Sequence, residues 1–393
     1  MQFSPSTATA SDAQRDDAIR FNRNELSGAF GDLGTDLPLV VGMILAAGLD
    51  AASVLTAFGL MQILTALRYR MPMPVQPLKA MAALVIAQQL PAAMLHGGGL
   101  AIGVCMLIIS VTGLIEWINR VVPKPVVRGI QCGLGLQLSG IALGDYMQRD
   151  GPPGLWLAAV GFLLTLLLIG RKKVPAAVVV IGLGIVYALT FQVDGSTLFQ
   201  SFGFHLPKWN VPTTSDIWTG FLVLALPQIP LSIGNSVLAT RQLAEDLFPA
   251  RGITAKQIGF TYSLMNLVNP FISGIPVCHG SGGMAGHYTF GGRTGGSVIL
   301  YGAFYLALGL FFGPGSETVI RVFPMPILGV LLLFEGLALL ALLRDLTARR
   351  ADFVLAVLVG LIASSLPYGY LLGLGVGVLC FHLIRRGAVR LDG

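Results

Sequence analysis

RMPMPVQPLKAMAALVIA, residues 70–87, and SGIPVCHGSGGMAGHYTFGGRTG, residues 273–295, are the two places where long apolar runs of this 393-residue chain are interrupted by clustered proline and glycine. The first holds Pro72, Pro74 and Pro77, and each contains a Pro-Val pair, Pro74-Val75 and Pro276-Val277. Proline lacks an amide donor and biases the preceding residue toward extended geometry, so each stretch predicts extended backbone that turns helical partway along. In a bilayer such backbone persists only when it is buried in protein or lines a cavity.

The rest of the chain says that the bilayer is the solvent. Hydrophobic residues make up 54% and charged residues 11%, with a mean hydropathy of +0.76, which excludes a water-soluble core. Spanning helices need roughly 20 apolar residues, and on that measure the runs beginning near Leu26 and ending with the one near Tyr368 number about 14. The predicted fold class is therefore an all-α polytopic membrane protein, with spans 3 and 10 as the interrupted half-helices. On this count the basic clusters Arg68/Arg70, Arg120/Lys124/Arg128, Arg171/Lys172/Lys173, Arg241/Arg251/Lys256, Arg293, Arg344/Arg349/Arg350 and Arg385/Arg386/Arg390 fall on one side. That side is expected to be the cytoplasm, leaving Arg149, Lys208 and Arg321 opposite and both termini inside. The net charge of +6 thus reads as an orientation signal, and no nucleic-acid partner is expected. Four cysteines stand singly in apolar runs without a CxxC pair, so no disulfide framework, metal site or cofactor is suggested. The first twenty or so residues are polar without an apolar signal core, which suits a cytosolic tail and an inner (plasma) membrane location.

The seventh run ends just before the longest polar loop, and this divides the chain. The expected organisation is a tail over 1–22, a first repeat over 23–192, an extracytoplasmic loop over 193–216, a second repeat over 217–386 and a tail over 387–393. An odd number of spans per half inverts the second half relative to the first. Transporters built this way hold substrate near the midplane, where interrupted helices meet.

The chemistry follows from a half-helix start. Its first-turn N–H groups and partial positive charge bind anions. Around the two starts stand Gln76 and Lys79 in the first half and His279, Ser281, Gly282 and Gly283 in the second, the glycines allowing a ligand close to the backbone. A lysine within a span costs about 2.5 kcal/mol or more, which favours a functional Lys79 over one snorkelling to the interface. His279 either contacts the ligand or bonds backbone carbonyls. Asp32 and Asp36, four apart, are expected to share a helix face, while Gly28, Gly31 and Gly34 make a small-residue strip for close helix packing. These two carboxylates carry a coupling proton, or else cap or pair with Lys79 or Arg23. In the eighth run Gln228, Ser232, Asn235 and Ser236 fit one lined face, whereas Glu116 and Glu335 read as structural or interfacial.

Four motifs, NELSGAFGDLGTDLPL (residues 24–39), PMPVQPLKA (72–80), LPQIPLSIGNSVLATRQLAEDLFP (226–249) and IPVCHGSGGMAGHYTFGGRTG (275–295), resemble in order those of the high-affinity molybdate transporters of the sulfate-permease superfamily. The resemblance implies molybdate as substrate, with sulfate or tungstate as further oxyanions. It also implies a seven-plus-seven inverted repeat, a core domain of spans 1–4 and 8–11, a gate domain of spans 5–7 and 12–14, elevator-like displacement, and a homodimer through the gate. With the last run ending a few residues before Gly393, the regulatory domain common in sulfate permeases is not expected here. Several ion-coupled relatives carry an acidic residue near the position of Asn235, and a neutral amide cannot take up a proton there. The alternatives are a sulfate or general oxyanion permease, a nucleobase or carboxylate carrier and an anion channel. An intramembrane enzyme is disfavoured, since neither HExxH nor GxSxG occurs.

Overall fold

The computed structural model describes residues 18–115, 117, 122–168, 176–193, 202–312 and 322–387. Most of the N-terminal tail, Glu116, Arg120, Arg171, Lys172, Lys173, Arg321, Arg390 and the stretch 388–393 lie outside the described residues. The described residues are mostly helical, with two strands of three residues each and one isolated bridge among them.

In chain order the helices are α1 (Arg23–Ala29), α2 (Leu33–Ala47), α3 (Ala51–Tyr69), α4 (Lys79–Gln88), α5 (Ala92–Thr112), α6 (Lys124–Ile141), α7 (Gly151–Leu168) and α8 (Ala176–Phe191). They continue with α9 (Thr214–Leu247), α10 (Ala255–Val268), α11 (Ser281–Thr289), α12 (Gly296–Phe311), α13 (Met325–Leu346), α14 (Arg350–Ser365) and α15 (Gly369–Arg385). Strand β1 (Val75–Pro77) precedes α4 and β2 (Val277–His279) precedes α11. By length and composition, six of the described helices are fit to cross a membrane, and a seventh if α1 and α2, bent by 42° at their break, count together.

Local chemistry sets the ends. Asp50 caps α3 through the Ser53 amide (3.0 Å), and Thr213 with Asp216, and Thr254 with Gln257, form capping boxes at α9 and α10. Pro125 and Pro326 occupy the first turn of α6 and α13, where a missing N–H costs nothing. Helix α9 is not uniform: its Pro227 and Pro230 lie between two π-type stretches, Phe221–Ala225 and Ser232–Ala239. Such bulges let the chain re-form its hydrogen bonds around proline, and they commonly mark functional sites.

The helices pack in two groups. In one, α3 lies along α12, α5 along α9 and α10, and α1 against α11 and α12. In the other, α6 packs on α13, α14 and α15, and α7 on α8 and α13. Contacts of α2 with α13 and of α4 with α6 join the groups. The glycine strip does what its spacing predicted, because a Cβ on Gly28 or Gly31 would stand 2.8 Å from the His287 backbone of α11. Glu25, buried in α1, accepts from the amides of Arg293 (3.0 Å), Thr294 (2.9 Å) and Ser297 (2.9 Å) and so holds the start of α12. Outward faces are apolar, as at Leu64, Leu163, Leu167 and Phe260, which suits contact with lipid.

At one end Asp50 meets Lys208 (2.5 Å). Burial alone would push the Asp50 carboxyl up, but hydrogen bonds from Lys208 and Ser53 outweigh it and hold it below the ordinary value.

Candidate anion-binding site

The two interrupted stretches meet. β1 and β2 pair antiparallel with Val75 opposite His279, Gln76 opposite Cys278 and Pro77 opposite Val277. Leu78 N–H donates to the Pro276 carbonyl (3.1 Å). The backbone at the outer edges of this small sheet is satisfied by two amides. Gln62 on α3 donates to the Val75 carbonyl (2.6 Å) and accepts from its N–H (2.8 Å). Asn266 on α10 donates to the Val277 carbonyl (2.6 Å) and accepts from its N–H (2.9 Å). Extended backbone buried at this depth needs such partners.

Helices α4 and α11 each start after a single residue beyond the strand, so their N-termini converge on the paired segment. The two starts differ. Gln228 Oε1 accepts from the amides of Ala80 (3.1 Å) and Met81 (3.4 Å), which caps α4 in part. The first turn of α11, Ser281 to Gly283, has no side-chain cap, and Gly282 looks onto open space. The side-chain amide of Gln228 thus occupies part of one start and leaves the other to the cavity.

A cavity of about 360 Å³ opens there, lined by Gln76, Lys79, Gln228, Asn235, Ser281, Gly282 and Glu335 among others. Larger cavities of about 600 and 650 Å³ lie beside Gln88 and Tyr370 and beside Leu60 and Phe260. A third, of about 390 Å³, lies beside Lys124, Arg349 and Arg385, and none of the three touches the starts of α4 and α11.

The residues singled out by sequence fall as follows. Lys79, the first residue of α4, pairs with the Glu335 carboxylate of α13 and with neither Asp32 nor Asp36. Gln76 Nε2 donates to both oxygens of Asp32 (2.7 and 2.8 Å), so its donors serve the protein as well as the cavity. Asp36 is wholly buried, accepts from Tyr301 (3.0 Å) and leaves its second oxygen without a partner. Neither aspartate meets Arg23. His279 is among the residues that line the cavity, while its ring meets Thr261 (2.7 Å) and the edge of Tyr69, which do not line it. Gly283 packs where a Cβ would strike the Asp32 carboxylate and Pro74, and Gly280 where it would strike Gln76. Asn235 accepts from Gln131 (2.8 Å), which accepts from Arg128 (2.8 Å), which in turn pairs with Asp345. That chain runs from α9 to α6 and α13.

Sequence reasoning missed several of these. Glu335 read as interfacial and Arg128 as an orientation signal, yet both line the cavity. Gln62 and Asn266 went unremarked, although each lies within a capped helix, α3 behind Asp50 and α10 behind Thr254, at the level of an interrupted strand.

The fold is shared with solved membrane proteins. It matches the transmembrane domain of a cyanobacterium bicarbonate transporter, BicA, with a TM-score of 0.64 at 17% identity, covering 88% of this chain and 98% of that one. It matches murine Slc26a9, an anion transporter, with a TM-score of 0.66 at 13% identity, covering 100% of this chain and 74% of that one. The shared fold and the apolar helices define a multi-pass membrane protein. Residues 24–138 and 220–339 match the family described as "Molybdate transporter of MFS superfamily". Molybdate transporter 2 of Arabidopsis thaliana is 34% identical over 412 aligned positions, covering 92% of this chain and 87% of that protein. The chain belongs to the molybdate transporter family, and it is an anion transporter rather than an enzyme.

Proposed function

We propose that this chain is a secondary transporter that imports molybdate, holding the oxyanion between the starts of α4 and α11. The observation that carries this reading is the uncapped first turn of α11 facing Lys79 across a cavity that also receives Gln76, Gln228 and Asn235. Ser281, Gly282 and Gly283 contribute backbone N–H groups. His279 contributes its place in β2 more than its ring.

Spans are counted as α1 with α2, then α3 to α15 singly, which makes 14 in two inverted sevens. Exchanging the halves turns the contact of α3 with α12 into that of α10 with α5, of α12 with α1 into that of α5 with α9, and of α14 with α6 into that of α7 with α13. Each of these contacts occurs, which supports the repeat. The group containing α4 and α11 is the moving core and the group of α6 to α8 and α13 to α15 the gate, with elevator-like displacement between them. Asp32 supports the site through Gln76, while Asp36, with one oxygen unpartnered, is the group available to a coupling ion. The gate forms the homodimer face, and both termini lie inside a plasma or inner membrane.

The test is metal-quantified uptake of trace molybdate into cells expressing the chain, with and without a large excess of sulfate. Saturable uptake that survives sulfate supports a selective molybdate carrier. Uptake erased by sulfate supports a general oxyanion permease, a reading favoured by a cavity roomy enough for either tetrahedral dianion. No uptake overturns both.

A further inference from the structure

Every cation lining the cavity among the described residues is already paired with a carboxylate, and both carboxylates come from one helix. Lys79 pairs with Glu335 and Arg128 with Asp345, each on α13. The first pair is the better shielded, with side chains 23% and 12% exposed. It joins the first turn of α4, where the anion is read to bind, to the opposite helix group. An entering anion therefore meets a lysine that an internal anion occupies.

We propose that Glu335 is a tethered competitor for Lys79, which sets a charge threshold and favours doubly charged oxyanions over singly charged ones. The proposal rests on the reading of Lys79 as a substrate residue. Coulomb attraction at a given distance scales with the ligand's charge. A singly charged anion that displaces Glu335 replaces one unit of negative charge with another and gains little. A dianion gains the difference. The displaced carboxylate has somewhere to go, because its Oε2 already accepts from Thr35 Oγ1 on α2 (3.1 Å). Removing one partner of a shielded pair leaves the other charge poorly compensated, so a lysine without Glu335 binds incoming anions more strongly and with less regard to their charge.

The experiment is uptake of molybdate by the full chain with nitrate as a singly charged probe and sulfate as a doubly charged one, in the parent, Glu335→Gln, Glu335→Asp and Lys79→Ala. Glu335→Gln is expected to lower KM about tenfold, with a lower maximal rate because release slows. Nitrate, inert against the parent, should compete in this variant, and Glu335→Asp should restore the parent behaviour. Thr35→Ala gives an independent arm of opposite sign: it leaves Glu335 only Lys79 as a partner and should raise KM. If Lys79→Ala leaves KM unchanged, the site itself is misread. If Lys79→Ala raises KM while Glu335→Gln and Thr35→Ala leave KM and nitrate inertness as in the parent, the site stands and the competitor role is overturned. A raised KM in Glu335→Gln also overturns it, since Glu335 would then serve to place Lys79.

Discussion

Gln228 on α9 accepts hydrogen bonds from the backbone of Ala80 and thereby closes part of the α4 start that Lys79 opens. Its own Nε2 donates to Ser232 (3.2 Å), which meets Tyr262 (2.8 Å), so the amide is held in orientation from behind. Gln228→Ala should destabilise the protein by about 1 kcal/mol, as loss of a helix cap does. It should also shift the apparent molybdate affinity. Thermal unfolding of the purified protein and uptake kinetics would check both, and an unmoved midpoint would argue that the cap is idle.

The lateral amides make a sharper case. Gln62→Leu and Asn266→Leu each strip a buried N–H and a buried carbonyl of their partners, at about 1–3 kcal/mol for each group. Both variants are expected to accumulate poorly or melt early, and their effects should be comparable because the two sites are built alike. A variant that melts like the parent would show that the strand pair holds without its clamp.

Neighbouring glycines should part company. Gly283→Ala and Gly280→Ala drive a methyl into the Asp32 carboxylate and the Gln76 side chain, so loss of folded protein is expected. Gly282→Ala meets nothing within 4 Å and should fold normally, yet it places a methyl where the anion approaches the α11 amides. A raised KM with an unchanged melting midpoint is the expected signature, read by uptake beside thermal unfolding.

The Asp50–Lys208 contact predicts acid sensitivity away from the site. A carboxyl whose folded pKa lies below the ordinary 3.8 contributes stability that is complete above that value and is lost as pH falls through the folded one. The parent should therefore lose thermal stability below about pH 4, and Asp50→Asn should start lower and lose less over the same range. Equal slopes in parent and variant would remove Asp50 from the account.

Local pattern carried part of this structure. The Pro-Val pairs announced the two extended segments, because a missing N–H and a restricted predecessor act within a few residues. Gly28 and Gly31 announced a close crossing for the same local reason. What the sequence did not show were the partners. Glu335 lies 256 positions from Lys79, and nothing in GVLLLFEGLALL separates a cavity carboxylate from an interfacial one. The sequence left His279 between a ligand contact and a backbone bond, and the neighbours of its ring, Thr261 and Tyr69, come from helices whose approach no spacing encodes. Asp32 stands at the N-cap of α2 and Asp36 in its first turn, and Gln76 and Tyr301 give them different surroundings.

The pairing of β1 with β2 has a last consequence. Backbone hydrogen bonds rivet the two segments together and amides from α3 and α10 clamp them from either side, so the starts of α4 and α11 cannot draw apart like jaws. An anion held between them is not let go by widening the grip. In the displacement proposed above it would be let go where the rivet, travelling intact, reaches water or another charge, and the holder would arrive empty-handed but unchanged in shape.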